Sequence, residues 1–313
     1  VIGWIPPVTL FGGDGDFSLV VLPDTQIYAW KYPELFDAQT RWVADRKAEY
    51  NIEYVLHVGD VVEHNSRKEW EIARNAFSAL DGTVPYAIAL GNHDMGPKGS
   101  AKTRDTFFGE YFPLAQFKKW PSFGGVYDRE PDMGVNCYHL FRAGGRPWLV
   151  LVLEFGPRDD VLRWAEEVVG RHKEHSVILV THAYLDNDGR RYDREIRGQH
   201  YPPHKYAVAG DKAGLNTGED IWRKLVSRNR NMVLVISGHV CIAARLESRG
   251  DAGNRVHQMV VDYQNQKRGG NGWLRLLQFS EGGRKLQVRD YSPVLDEWSD
   301  HPERRFDLVL DLP

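Results

Sequence analysis

Five short apolar runs dominate this chain, and each stops on a polar cluster. They read "FSLVVLPDTQ", "EYVLHVGD", "VPYAIALGNHD", "SVILVTHA" and "MVLVISGHVC". Short runs rich in Val, Ile and Leu are the signature of strands covered on both faces. Helix-like segments separate the first three. Residues 33–50 begin at Pro33 and carry Leu35, Phe36, Trp42 and Val43 as an apolar stripe, and residues 67–82 close on Gly82. The β-α-β-α-β order implies an α/β fold, a largely parallel sheet with helices on its faces.

Parallel direction has a chemical consequence. Strands running the same way present their carboxyl ends at one edge, and ligands of open α/β sheets bind there. Asp24 and Gln26, Asp60, Asn92 with His93 and Asp94, His182, and His239 with Cys241 therefore converge. Carboxylate, amide oxygen, imidazole and thiol are the donors that hold divalent metals. Singly, each has an ordinary explanation. Asp24 caps the next helix, Gly-Asp makes a turn, and Asn92 and Asp94 flank another. Five such segments in one chain need a common cause, and a metal site provides it. In the last of them, an extended "HVC" would point His239 and Cys241 the same way.

The rest of the chain reads as one domain over residues 1–313 with two long irregular insertions, at about 95–136 and 186–216. Strands return at "NCYHLFRA" and "PWLVLVLEFG", and helices at about 159–173 and 218–230. From "IAARLES" onward the pattern is antiparallel strands joined by Gly-rich turns, ending in an edge strand at "RFDLVLDL".

Composition excludes several classes of function. With 40 basic and 43 acidic residues, the net charge of −3 gives no global field for nucleic acid or anionic lipid. No apolar run reaches the ~18 residues of a membrane helix. Two cysteines, Cys137 and Cys241, are too few for a disulfide framework. The opening "VIGWIPPVTLFGG" has no basic region or cleavage motif, so a signal peptide, if one existed, is already removed. Ten tryptophans and few cysteines suit a periplasmic or secreted enzyme. Oligomeric state leaves no mark in the sequence.

In chain order, D-x-Q, GD-x-x-E, GNHD, H and GH-x-C resembles the calcineurin-like metallophosphoesterase family, whose pattern is D-x-H, GD, GNH(D/E), H and GH-x-H. The resemblance implies two packed mixed β-sheets flanked by helices, an αββα sandwich. It implies hydrolysis of a small-molecule phosphodiester or phosphomonoester by a metal-activated hydroxide between two divalent ions, Zn, Fe or Mn. By position, Asp60 would bridge the metals. Asn92, His182 and His239 would hold one, and Asp24, Gln26 and Cys241 the other. His93 would face the substrate as general acid, oriented by Glu63.

Gln26 and Cys241 stand where the family has histidine. A thiolate at 241 would favour Zn or Fe(II), whereas an uncoordinated thiol would be a small hydrophobe, and the sequence leaves both open. These departures motivate a second reading, a one-metal or metal-poor binding protein on the same fold. A third is an ester hydrolase of altered specificity.

Lesser candidates have bland explanations. His57, three residues before Asp60, points away from it and reads as structural. His64 and Asn65 are candidates to line the cleft, and His257 reads as packed. Tyr28 and Tyr184 either stack on a substrate or pack. The arginines of 188–205 are offset by Asp188, Asp193 and Glu195, although one could fork onto a phosphate.

Overall fold

The structure is a computed structural model and describes residues 15–313. The leader-segment reading concerns residues outside this range. Strand β1 (Phe17–Leu22), helices α1 (Gln26–Lys31) and α2 (Pro33–Tyr50), β2 (Ile52–His57), α3 (Arg67–Phe77) and β3 (Tyr86–Ile88) follow in the expected order. The first insertion carries α4 (Phe108–Tyr111), α5 (Leu114–Phe117) and β4 (Phe123–Val126). Next come β5 (Cys137–Ala143), β6 (Arg146–Val152), α6 (Asp159–Arg171) and β7 (Ser176–Val180). Beyond the second insertion lie α7 (Gly218–Ile221), β8 (Met232–Ser237), β9 (Ala243–Arg249), β10 (Arg255–Val261), β11 (Leu274–Ser280), β12 (Lys285–Ser292), β13 (Glu297–Trp298) and β14 (Arg305–Val309).

The strands form two mixed sheets. The first has the order β13-β12-β11-β1-β2-β3, with β14 paired to β12. The second has the order β4-β5-β6-β7-β8-β10-β9. Within the first sheet β1, β2 and β3 are parallel, and within the second β6, β7, β8 and β10 are parallel.

Strand alternation builds the layers. Leu19 and Val21 of β1 pack with Val150, Ile178 and Ile236 of the opposite sheet. Their neighbours Val20 and Leu22 face the other way, into the cluster that contains Phe36 and Val43 of α2. Both faces of β1 are thus covered, which is why its six residues are all buried. Each such aliphatic side chain contributes roughly 1.5–3 kcal/mol on burial. Helices flank the sheets, as the αββα expectation requires.

Two elements differ from expectation. The helix anticipated at 218–230 is only α7, started by a Thr217–Asp220 capping box, followed by a π-helical turn at Trp222–Val226. More consequential is β10, which pairs antiparallel with β9 but also lies parallel beside β8. The reason is burial. Val256–Val261 are buried on both faces, whereas β9 alternates half-buried and exposed residues beyond Ala243 and takes the edge. The carboxyl end of β10 therefore opens onto the same edge as those of β7 and β8.

Candidate metal centre

Three glycines let this edge close up. A Cβ on Gly91 would collide with the Asp60 carboxylate, and one on Gly238 with that of Asp24. A Cβ on Gly59 would come within 2.7 Å of His182 Nδ1, and Gly59 also has φ +102. The glycines of "GD", "GN" and "GH" are thus the condition for the acidic and imidazole groups to meet. Asp60 and His239 are themselves held at positive φ, +50 and +81. Such backbone strain in non-glycine residues concentrates at functional sites.

Asp60, His182 and His239 meet at the centre, with one ligand atom from each lying within 4.8 Å of the others. His182 Nδ1–H donates to the Val58 carbonyl at 2.9 Å, which turns Nε2 towards Asp60 Oδ2 at 3.2 Å, and there Asp60 outweighs burial and raises the His182 pKa. His239 Nε2–H donates to the Tyr201 carbonyl at 2.8 Å, leaving Nδ1 as a lone pair 3.2 Å from His182 Nε2. Two imidazole nitrogens facing one another, with a carboxylate alongside, are a donor set that a cation can take over from the His182 proton. Burial first, then the His182 charge, pushes His239 down to about 3, so its ring is neutral and fit to coordinate. Burial alone would raise Asp60, but His182 and His93 hold it below the usual carboxylate range.

Around this centre three buried oxygens have no hydrogen-bond partner: Asp24 Oδ1, Gln26 Oε1 and Asn92 Oδ1. Buried polar atoms are otherwise almost always paired, so a shared unmet demand again fits a cation. Asp24 Oδ2 accepts the His239 N–H at 3.1 Å and lies 4.0 Å from His182 Nε2. Gln26 opens α1, and its amide Nε2 donates to Glu63 Oε2 at 2.8 Å, which turns Oε1 away from Glu63.

His93 sits at the mouth. Its backbone N–H donates to Asp60 Oδ1 at 2.9 Å, and its Nδ1–H donates to the Glu63 carbonyl oxygen at 2.9 Å. The Glu63 carboxylate is further away, 3.9 Å from Nδ1. Its closest partner is Gln26, so Glu63 acts on His93 chiefly through its backbone. Burial lowers the His93 pKa, but Asp60 and Glu63 outweigh it and the net shift is upward.

Cys241 stands apart. The positive φ at His239 ends the extended run, so the two side chains do not share a direction. Cys241 is exposed and lines a surface cleft with Asn187, Asp188, Arg245 and Arg304. Partial burial of its sulfur, with the nearby Asp262 and Asp24 charges, pushes the thiol pKa up.

Asp262 itself is fully buried one residue beyond β10 and is absent from the sequence-derived set. Burial pushes it up to about 6. Asp24 is raised well above its ordinary value by burial and then by the Asp262 and Asp60 charges. The signal was present in "VVDYQ", an apolar run ending in an acid, but the parallel placement of β10 was not.

The lesser candidates resolve into structure. His57 Nδ1 accepts the Gly59 N–H, its Nε2–H donates to Thr25 Oγ1, and Thr25 donates to the Val61 carbonyl. Asn65 binds the Gly96 and Asp105 carbonyls and the Trp70 indole, pinning the first insertion. His64 pairs with Glu69. His257 packs against the Val309 carbonyl. The Tyr28 and Tyr184 hydroxyls are engaged by Gly272 and Gln258. Arg190 and Arg191 pair with Asp188 and Glu219. The second insertion instead covers the centre with aromatics, Tyr192 and Tyr206 lying 5.8 and 6.0 Å from the His239 ring.

Comparison with known proteins agrees with this architecture. The chain is 34% identical over 290 residues, 90% of its length, to YvnB of Bacillus subtilis strain 168, an uncharacterized protein, and spans 20% of that protein. Its fold is similar to that of the purple acid phosphatase PPD1 from yellow lupin (Lupinus luteus) seeds, at 13% identity and a TM-score of 0.53. That match covers 94% of this chain and 54% of the lupin protein. The family profile of the calcineurin-like phosphoesterases matches residues 17–243. The chain belongs to the calcineurin-like phosphoesterase family.

Proposed function

We propose that this chain hydrolyses phosphodiesters or small phosphomonoesters at a two-cation centre on the shared sheet edge. The observation that carries the reading is the pair of facing imidazole nitrogens beside Asp60, ringed by unpartnered oxygens. His182, His239, Asn92 and Asp60 would hold one cation, and Asp60 with the Asp24–Gln26 side would hold the other.

Bound divalent cations neutralise phosphoryl oxygens and lower the pKa of a water towards about 7. The chain's own residues do the rest. The Val58 and Tyr201 carbonyls fix which nitrogen of each imidazole is free. The His93 backbone N–H holds Asp60 in place. Because His93 Nδ1–H is committed to the Glu63 carbonyl, its Nε2 is the atom left to carry a proton to the leaving oxygen. Tyr192 and Tyr206 from the second insertion narrow access to the edge and exclude water.

The test is turnover of p-nitrophenyl phosphate and bis(p-nitrophenyl) phosphate by protein supplied with Zn²⁺, Mn²⁺ or Fe²⁺. Release of nitrophenolate above the metal-only rate supports the reading. Absence of turnover with every metal and both esters refutes it.

A further inference from the structure

The imidazole pair accounts for one cation. It leaves Asp24 Oδ1 and Gln26 Oε1 buried without partners, and beside them the buried carboxylate Asp262, which the family pattern does not use. The register places it. Val260 of β10 pairs with Ser237 of β8 in parallel, which brings the end of β10 beside the Gly238–His239 turn, and the Asp262 N–H donates to the Ile242 carbonyl at 2.9 Å. Asp24 in turn accepts the backbone N–H of that same His239 at 3.1 Å.

The hydrogen-bond donors to the Asp262 carboxylate are neutral. Gln264 supplies a backbone N–H at 2.8 Å and its amide Nε2 at 3.0 Å. Among the described residues no Lys or Arg pairs with Asp24, Asp60 or Asp262. Carboxylates buried together are strongly unfavourable when ionised, and His182 reaches Asp60 at 3.2 Å and Asp24 at 4.0 Å but forms no ion pair with Asp262, where a bound cation would supply the balance. Cys241 is an exposed residue and lines the surface cleft with Asn187 and Asp188.

We propose that Asp262 is a ligand of the second cation, completing an oxygen-only set with Asp24, Asp60 and Gln26 Oε1, while Cys241 stays an uncoordinated thiol. Gln264 then positions Asp262, as outer hydrogen-bond partners position metal-ligating carboxylates. An oxygen-only set selects Mn²⁺ or Mg²⁺, whereas the imidazole pair suits Zn²⁺ or Fe²⁺. The two sites would therefore load differently. This inference rests on the two-cation centre proposed above.

The experiment is calorimetric titration of Mn²⁺ into protein preloaded with one equivalent of Zn²⁺, with metal content measured after desalting. Wild type is expected to take up one Mn²⁺ and retain its Zn²⁺. Asp262→Asn should bind Mn²⁺ at least about 100-fold more weakly while keeping Zn²⁺, and Gln264→Ala, which spares the ligand, about 10–100-fold more weakly. Cys241→Ala should match wild type. Gln264→Ala carries the test if Asp262→Asn does not fold. Wild-type Mn²⁺ affinity in Asp262→Asn or Gln264→Ala, loss of Mn²⁺ in Cys241→Ala, or no Mn²⁺ uptake by wild type would each overturn the inference. Turnover is not the readout. The expected Mn²⁺ pattern without ester hydrolysis supports the inference and defeats the proposed function, and hydrolysis without the pattern does the reverse.

Discussion

His182 Nε2 and His239 Nδ1 stand 3.2 Å apart, and each ring has already given its N–H to a backbone carbonyl. Burial disfavours charge on His182, but Asp60 outweighs it and raises the His182 pKa, so a proton shared with Asp60 relieves that opposition without metal, and a cation that displaces it should be worth folding stability. At a free metal concentration about 100 times its Kd, the gain is about 2.7 kcal/mol. Differential scanning calorimetry should show a Tm higher by several degrees with Zn²⁺ than with excess chelator. Equal Tm values would mean that the pair does not bind metal in the folded state.

Glycine 91 is not a ligand, yet Gly91→Ala should behave like a ligand variant. Its new Cβ overlaps the Asp60 carboxylate, so Asp60 must move. Metal affinity should fall by about 10–100-fold, the range for lost positioning of a ligand. Gly170→Ala is the control. It meets nothing within 4 Å and lies in α6, so it should stabilise the protein by about 0.5–1 kcal/mol and leave metal binding alone. Direct metal titration of both variants makes the comparison, and normal affinity in Gly91→Ala would contradict the packing argument.

For His93 the expected loss lies in turnover and not in metal. His93→Ala should lower kcat by roughly 10²–10⁴, the usual worth of a general acid. Metal content by elemental analysis should be unchanged, since His93 Nδ1 is held by the Glu63 carbonyl and the Asp60–His182–His239 group forms without its ring. Unaltered kcat would remove His93 from proton transfer.

Acid stability can be tested far from the centre. His139 on β5 is fully buried among Tyr54, Phe117 and Phe123 with Nδ1 unpartnered, and burial pushes it down to about 3. The unfolded chain binds this proton below about pH 6.5 and the folded one does not. Its stability contribution is therefore complete above pH 6.5 and is lost as pH falls towards 3. From pH 6.5 to 5 the loss is about 2 kcal/mol for this one group. In urea unfolding at pH 7 and pH 5, His139→Phe should show a correspondingly smaller drop. An identical drop would place the acid sensitivity elsewhere.

Much of the fold was legible because it is written locally. The runs ending at Asp24, Asp60, Asn92, His182 and His239 are apolar on both faces, which requires covered parallel strands and sends their polar ends to one edge. The pairing of Glu63 with Gln26 was not legible. The motif places Glu63 three residues past Asp60, but only the turn geometry gives its carboxylate to an amide and its carbonyl to His93.

Cys241 and Asp262 mark where local reading ends. Alternation along "HVC" assumes an extended backbone, and φ of +81 at His239 breaks it, a strain that Asp24 and Tyr201 hold in place from distant segments. "VVDYQ" has the same form as the other strand ends, yet its meaning depends on β10 lying beside β8 instead of beyond β9. Sequence alone determined the periodicities and the residues that meet water or core. The assembled sheets decided which strand ends are neighbours and which way a strained residue turns, because those depend on the burial of many segments at once.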